Sequence, residues 1–579
     1  MRLPKLLRCL LLLGGMLMLA GCQNTEITET TPPEVEYLTI AENKSTEYKL
    51  VFLVGDKSLQ GDFSTDLLIK TGAKFEVVTE ENAGEKAIYI GTAQQLGGKG
   101  GVSADLAYTT YEIKVDNGNI YIAMAEESLV EDVMESFKNS IVKTADGVFG
   151  IDQNISGIRN TVNITETVPV FETASGKRRE LYAAGGGNYQ ITYQALSLST
   201  ADQEVAAYEQ RLVDAGYTLH QTNEINQSRF FTYTKGDTMI HCNYFKVMKE
   251  FRIIYGPKGY LGSQTPTTDY ENKVTPSISI VGATDSVLCM VYQAPDGSFV
   301  IIDGGYGVDK TYSWTLNTGT KDEMTYTIKR NIDQDMASLW ALLESKTPAG
   351  QKPQVTWMMT HGDPDHICLP PVFMKKYQDK FDLNLVVYNF PIVANVGLEN
   401  GEGANVYQGY IDNFITAAKT YFPNANHLFF HTGQKLYLPG TEIEFLFTAE
   451  DNWPNKMPWM NDTCAVWRIT SEGKSIMILG DAGGGRLNQM VGCFGDYLKS
   501  DILQLSHHGS NGGTLPFYRA VEPTVALWAC EDMRFLYDRQ RLGTKPGFEY
   551  NLYIRETVKY HYAGSYTHTI LLPSLQEEK

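Results

Sequence analysis

The sequence predicts a mixed α/β (α+β) protein, with two small α/β units followed by a larger C-terminal one. Three observations predict it. Strand-like and helix-like apolar runs alternate over residues 37–170, and the alternation recurs over 180–258. From about residue 275 onward, short apolar strands end one after another in clusters of Asp, His and Gly. A chain of 579 residues is long enough for several domains. Its 43% hydrophobic and 20% charged residues exclude a disordered or collagenous protein. Lys and Arg total 49 against 68 Asp and Glu, a net charge of −19, which argues against a protein that coats nucleic acid by neutralising phosphates. No stable nucleic-acid partner is expected. The eight cysteines form no CxxC pair, so zinc-ribbon and thioredoxin-like readings fail.

Residues 1–22 read as an address. Arg2, Lys5 and Arg8 precede an apolar stretch from Leu10 to Ala20, too short for a convincing membrane span. It ends in Leu19-Ala20-Gly21-Cys22, which resembles a bacterial lipobox. The resemblance implies lipidation at Cys22 and a membrane partner reached through that anchor, on the outer face of a membrane of the bacterial envelope. Residues 23–36 are polar and rich in Thr, Pro and Glu, a flexible tether.

In the first unit (37–170), Lys49–Val54, Ala87–Gly91 and Ile120–Ala123 are strand candidates, and Leu129, Val130, Val133, Met134, Phe137 and Ile141 recur at helical spacing. The runs LLIKTGAKFEVV and AIYIGTA weakly resemble the non-catalytic domain that precedes the barrel in some β-hexosaminidases and α-glucuronidases. That likeness implies a glycan-related setting and no activity. In the second unit (180–258), Thr200 to Gln203 carries a capping-box signature. Val205, Tyr208, Leu212 and Ala215 then line one helical face that Gly216 can stop. His220 and His241 receive no role.

The third unit (275–579) carries the chemistry. Val281 to Ser286, a turn at Asp296-Gly297, and Phe299 to Ile302 running into Asp303-Gly304-Gly305 form a hairpin signal. The strand Val355 to Thr360 delivers His361, Asp363, Asp365 and His366 within six residues. Adjacent carboxylate and imidazole side chains at a strand end point to different sides and can serve two metals. The strand Ser475 to Leu479 runs into Gly480-Asp481-Ala482, and Ile502 to Ser506 runs into His507-His508-Gly509-Ser510. Sites form at such carboxyl ends.

In this order the motifs resemble the metallo-β-lactamase superfamily. Within it they resemble the hydrolase domain of ComEC-type DNA-uptake proteins and their stand-alone relatives, with His-x-Asp-x-Asp-His-Ile, Gly-Asp-Ala and His-His-Gly-Ser. The resemblance covers about half the chain and implies a C-terminal αββα sandwich. It implies a first metal held by His361 and Asp363, a second by Asp365 and His366, and Asp481 as the bridge. His507 or His508 completes the second metal, with His507 favoured as nearest the strand end. Asp365 and His508 stand as the catalytic candidates. The family's third-motif His has no counterpart; Asn461-Asp462-Thr463-Cys464 falls there. The sequence departs further at Cys368-Leu369-Pro370-Pro371, in place of a Gly-Gly, and has no later His-Pro.

The expected cofactor is two divalent ions, zinc or manganese first and iron allowed, since Asp363 makes the first position harder than an all-imidazole site. The expected function is surface-tethered hydrolysis by a di-metal-bound hydroxide. A phosphodiester is favoured over an ester, lactone or amide, in a small-molecule or polymer substrate of envelope origin. The alternative of another class is a glycan-binding lipoprotein with a degenerate hydrolase-like part.

Overall fold

The computed structural model describes residues 35–55, 57–161, 166–319, 323–393, 403–452 and 457–578. The address, Cys22 and nearly all of the tether lie outside them. Among the described residues, no helix is long and apolar enough to cross a membrane. The six cysteines within them are free thiols.

The first unit holds a six-stranded sheet in the order Glu76–Val78, Lys49–Phe52, Ala87–Thr92, Asn119–Met124, Thr110–Asp116, Ile158–Asn160. Its first four strands are parallel, which is why they read as near-continuous apolar runs. Helix Val130–Ser140 buries Val130, Val133, Met134 and Phe137 on one face, the stripe its spacing predicts. A small second sheet joins Tyr37–Glu42, Val148–Asp152 and Val142–Ala145.

The second unit is an antiparallel sheet of six strands: Lys177–Gly185, Asn188–Gln194, Glu250–Pro257, Thr238–Phe245, Ser228–Lys235, Thr218–Ile225. Helix Ala201–Asp214 lays Ala201, Val205, Tyr208 and Leu212 on one face. The expected capping box does not form. The Thr200 hydroxyl turns back toward the Ser197 carbonyl, and the Gln203 N–H finds the Thr200 carbonyl. The sheet's other face meets the C-terminal unit, with Ile225, Phe230 and Phe245 packed on Leu446, Phe447 and Phe494 beside a set of buried polar groups. There Arg252, wholly buried, pairs with Glu250 and with Asp451. Asn223 Nδ2 donates to Glu444 Oε1 at 2.8 Å, and Gln190 Nε2 to the Glu450 carbonyl at 3.3 Å.

The third unit is an αββα sandwich. One sheet runs Asn426–Phe429, Asp382–Tyr388, Gln354–Met358, Phe299–Asp303, Cys289–Gln293, Ser277–Ile280, His568–Leu571, Gln576–Glu577. The other runs Lys435–Leu438, Thr441–Phe447, Val466–Ser471, Lys474–Ile478, Ile502–Gln504, Val525–Trp528, Tyr560–Ala563. Strand alternation sorts the layers. Val300 and Ile302 face the second sheet, where Phe445, Trp467, Ile476 and Ile502 meet them. Phe299 and Ile301 face outward onto helices Ile332–Lys346 and Leu369–Tyr377. Met477, Leu503 and Ala526 face helices Gly484–Phe494 and Leu515–Val521 on the far side. Each fully buried large side chain contributes about 1.5–3 kcal/mol, so burial on both faces makes these strands the most apolar segments of the chain.

Phe299–Asp303 lies parallel to Gln354–Met358, and Lys474–Ile478 lies parallel to Ile502–Gln504. All four therefore end at one edge of the sandwich. A surface hairpin, Lys310–Leu316 with Met324–Arg330, stands between the first motif and the second. It is pinned by the buried Asp285 carboxylate, which accepts from Tyr312 Oη at 2.8 Å and Arg330 Nε at 2.9 Å.

Candidate metal centre

The Asp-Gly-Gly turn is the frame of the site. Asp303 is fully buried with φ +53°. Its Oδ1 accepts from the Thr360 N–H at 2.7 Å, and its Oδ2 accepts from Thr360 Oγ1 at 2.6 Å. The same Oδ2 lies 2.8 Å from His366 Nδ1. A carboxylate there accepts a hydrogen bond from the Nδ1–H and turns the Nε2 lone pair of His366 toward the edge. A Cβ on Gly304 would meet Pro370 at 2.8 Å, and Gly305 has φ +106°. The turn thus needs both glycines, and the Pro370 ring fills the space against Gly304.

The second frame is the Gly480-Asp481 turn. Gln504, buried in an apolar strand, accepts at Oε1 from the Leu479 and Gly480 N–H groups at 2.8 Å each. Its Nε2 donates to the Gly480 carbonyl at 3.0 Å and the Leu505 carbonyl at 2.7 Å. The Asp481 N–H donates to Cys464 Sγ at 3.2 Å. Gly480 has φ +53°, and its Cβ position lies 2.8 Å from Thr360, so the two frames touch.

On these frames the ligand-type atoms converge. His361, His366 and Asp481 each bring one such atom within 4.8 Å of the others, and so do Asp365, His366 and His508. His361 Nε2 lies 3.3 Å from Asp363 Oδ2, with its Nδ1 3.0 Å from Thr360 Oγ1. His366 Nε2 lies 3.4 Å from Asp481 Oδ1. His508 Nε2 lies 3.2 Å from Asp365 Oδ2 and 3.5 Å from Asp481 Oδ2, while its Nδ1 is 2.7 Å from the Ala529 carbonyl.

The preference for His507 over His508 in the second group is corrected. Both residues are left-handed, with φ +50° and +54°, and this turn swings His508 inward to Asp365. His507 stays about one third exposed, its Nε2 3.7 Å from Asp481 Oδ2 and 3.5 Å from Asn461 Nδ2.

The electrostatics are those of a cation receptor. Burial alone would raise the Asp365 and Asp481 carboxyls. The imidazoles of His366 and His508 outweigh it, holding Asp365 near 2 and Asp481 well below the usual range. Burial likewise lowers His508 and His366, but Asp481 and Asp365 carry His508 to about 9 and His366 well above its ordinary value. Five buried atoms have no hydrogen-bond partner: His361 Nε2, Asp363 Oδ1, His366 Nε2, Asp481 Oδ1 and His508 Nε2. A native fold rarely leaves so many together, at about 1–3 kcal/mol each. Imidazole nitrogens and carboxylate oxygens are the donors that zinc, manganese and iron take. The residues fit two divalent ions.

Sequence reasoning missed Thr360, Gln504 and Cys464. Only Gln504 left a signal, an amide inside an otherwise apolar strand. The remaining histidines stand apart from the centre. His431 Nδ1 lies 2.9 Å from Glu450, His568 Nδ1 2.7 Å from Glu577, and His561 accepts from Trp528 Nε1.

No protein-family model matches the chain, and no curated protein matches it. Among solved structures it aligns with CmlA, a diiron β-hydroxylase from Streptomyces venezuelae, at 10% identity over 66% of this chain and 69% of that one, TM-score 0.29. It aligns with the metallo-β-lactamase fold protein YhfI from Bacillus subtilis at 12% identity, over 51% and 100% of the two chains, TM-score 0.29. With the short form of human tRNase Z the figures are 12% identity, 43% and 90%, and 0.23. The αββα architecture stands on the two sheets and their outer helices.

Proposed function

We propose that the C-terminal sandwich is a metal-dependent hydrolase acting at the edge where Asp303, His361, Asp363, Asp365, His366, Asp481 and His508 meet. The observation that carries this reading is that His361, His366 and Asp481, and likewise Asp365, His366 and His508, bring ligand atoms within 4.8 Å of one another, several of them buried and without a hydrogen-bond partner. Two divalent ions bound there supply Lewis acidity and a water acidified toward neutrality. The chain's own part is preorganisation. Asp303 fixes the tautomer of His366, Thr360 steadies His361, and the Ala529 carbonyl accepts a hydrogen bond from the Nδ1–H of His508. Asp481, buried and held anionic, can face both ligand groups at once.

A phosphodiester is the favoured substrate, ahead of an ester, lactone or amide, because the carboxylate-rich set including Asp363 suits hard cations that clamp an anion. The net charge of −19 counts against DNA. The lipobox supports a place on the outer face of an envelope membrane, with a substrate of envelope origin. The degenerate-scaffold alternative would not require so complete a ligand set.

The test is metal analysis of the purified protein, followed by a panel of phosphodiesters, esters, lactones, amides and β-lactams with Mn and Zn. Phosphodiester turnover that Asp481→Ala abolishes is the expected outcome. Activity untouched by Asp481→Ala, or a protein that takes up no divalent ion, sinks the reading.

A further inference from the structure

The short turn Met460–Thr463 lies against both frames of the metal centre. Met460 Sδ is 3.6 Å from a Cβ placed on Gly362, the residue between His361 and Asp363. Asn461 Nδ2 is 3.5 Å from His507 Nε2, itself 3.7 Å from Asp481 Oδ2. Asp462 Oδ1 is 3.6 Å from a Cβ placed on Gly483, two residues after Asp481, and 3.4 Å from Arg486 Nη2. Arg486 therefore stands beside the ligand groups, one short turn of chain away from them.

Three properties set this guanidinium apart. The first is partnership. Its Nε and Nη2 are buried, yet no side-chain nitrogen of Arg486 donates a hydrogen bond among the described residues. Arg330, Arg468, Arg534, Arg539, Arg541 and Arg555 of the same unit each donate at least one. Arg519 alone shares the lack, and it is exposed. A charged donor left unbonded at such burial is costly, which points to an acceptor that arrives from outside. The second is its counter-ion. At 3.4 Å the Asp462 carboxylate is beyond the about 2.7–2.9 Å of a charge-assisted hydrogen bond, and its other oxygen accepts from the Trp459 N–H at 3.1 Å. The pair is a loose hold. The third is surroundings. Arg486 lies in the first turn of helix Gly484–Phe494, which has no acidic residue and no side-chain cap, although the dipole favours anions at that end. A Cβ placed on Gly485 meets nothing within 4 Å, and 20% of the Arg486 side chain is exposed, so the place is open to a solute.

We propose that Arg486 binds an anionic phosphate oxygen of the substrate beside the metal edge, and that Asp462 parks the guanidinium until substrate arrives. A planar guanidinium presents paired N–H groups that match phosphate oxygens, and a phosphodiester monoanion carries two such oxygens. The anion replaces Asp462 as partner and takes the hydrogen bonds that the carboxylate leaves unmade. The inference rests on the phosphodiester reading above for its substrate class.

The experiment is calorimetry of diethyl phosphate, an unreactive phosphodiester monoanion, binding to the purified full chain loaded with Zn, with neutral triethyl phosphate as the control. Metal content is measured on every sample. Arg486→Ala should weaken diethyl phosphate about 10- to 100-fold, the range for losing a hydrogen bond to a charged group, at unchanged metal content. It should leave triethyl phosphate unchanged. Arg486→Lys should recover part of the loss, and Asp462→Asn, which frees the guanidinium, should tighten binding. The melting temperature of Arg486→Ala should equal or exceed that of the wild type, because no hydrogen bond is lost, which separates a binding defect from misfolding. Equal affinity in wild type and Arg486→Ala overturns the proposal. So does a variant that loses its metal together with its phosphate, since Arg486 would then support the centre and not the substrate. A wild type that holds diethyl phosphate through Arg486 but turns over no phosphodiester overturns instead the hydrolase reading and leaves the anion site standing.

Discussion

Asp303 touches no substrate, yet three bonds converge on its two oxygens, and one of them decides which nitrogen of His366 is free. Asp303→Asn keeps the shape and removes the charge. Chelator competition should find metal affinity reduced about 10- to 100-fold, the range for losing such a supporting partner. Protons compete for the same atoms. With His508 raised to about 9 and His366 raised well above its ordinary value by Asp481 and Asp365, protons compete with an arriving ion for both imidazoles. Metal uptake must expel those protons, so affinity should climb as pH rises from 6 toward 9. Calorimetry in buffers of different ionisation enthalpy should show proton release. His361, Asp363, Asp365, His366 and Asp481 stand out in the sequence because each follows an apolar strand. The exchange of His507 for His508 does not, since residue type does not encode a left-handed turn. Thr360 and Cys464 were invisible because they act through hydrogen bonds across the chain.

At the scale of elements, the apolar runs marked the strands that end in the site motifs, Phe299–Asp303, Gln354–Met358, Lys474–Ile478 and Ile502–Gln504, but not most of the others or the order of the sheets. His568–Leu571, near the chain end, pairs with Ser277–Ile280, and no local periodicity records such a partnership. The hairpin Lys310–Arg330 went unread because its strands are mostly exposed and carry Thr and aromatic residues instead of an apolar run. Helix Ile332–Lys346 offers a direct test. Burial pushes the carboxyl of its Asp335 up to about 6, although Thr284 donates to it from N at 2.8 Å and Oγ1 at 3.1 Å. The folded value lies above the unfolded one, so this group's stabilisation is complete below about pH 4 and is lost as pH rises through 6. Asp335→Asn keeps an acceptor for the Thr284 N–H and removes the buried charge. It should stabilise the protein by about 1–3 kcal/mol at pH 7, with the gain vanishing near pH 4 in denaturant melts.

At the scale of the whole molecule, nothing in the local pattern of residues records how the sheet of residues 177–257 meets the sandwich. Their interface joins buried amides and ions, which in sequence read as ordinary surface residues, to an apolar patch of Ile225, Phe230 and Phe245 against Leu446, Phe447 and Phe494. Arg252→Ala would strand Glu250 and Asp451 without their cation, a loss of about 3–5 kcal/mol. Urea unfolding should show it as a lower midpoint, and Asp451→Ala should behave similarly.

The edge site also divides the sandwich in time. His361, Asp363, Asp365 and His366 come from one sheet, and Asp481 follows His366 by 115 residues, on the other. During synthesis the first four ligands leave the ribosome long before their partners exist, and no complete cage can close around an ion until both sheets have docked. An ion bound afterwards would be a reversible staple between two sheets that the Ala465 N–H already joins to the Thr360 carbonyl at 2.9 Å beside the site. At a concentration 100 times its dissociation constant, such a staple adds about 2.7 kcal/mol. Scarcity of metal would then slacken the fold as well as silence the chemistry.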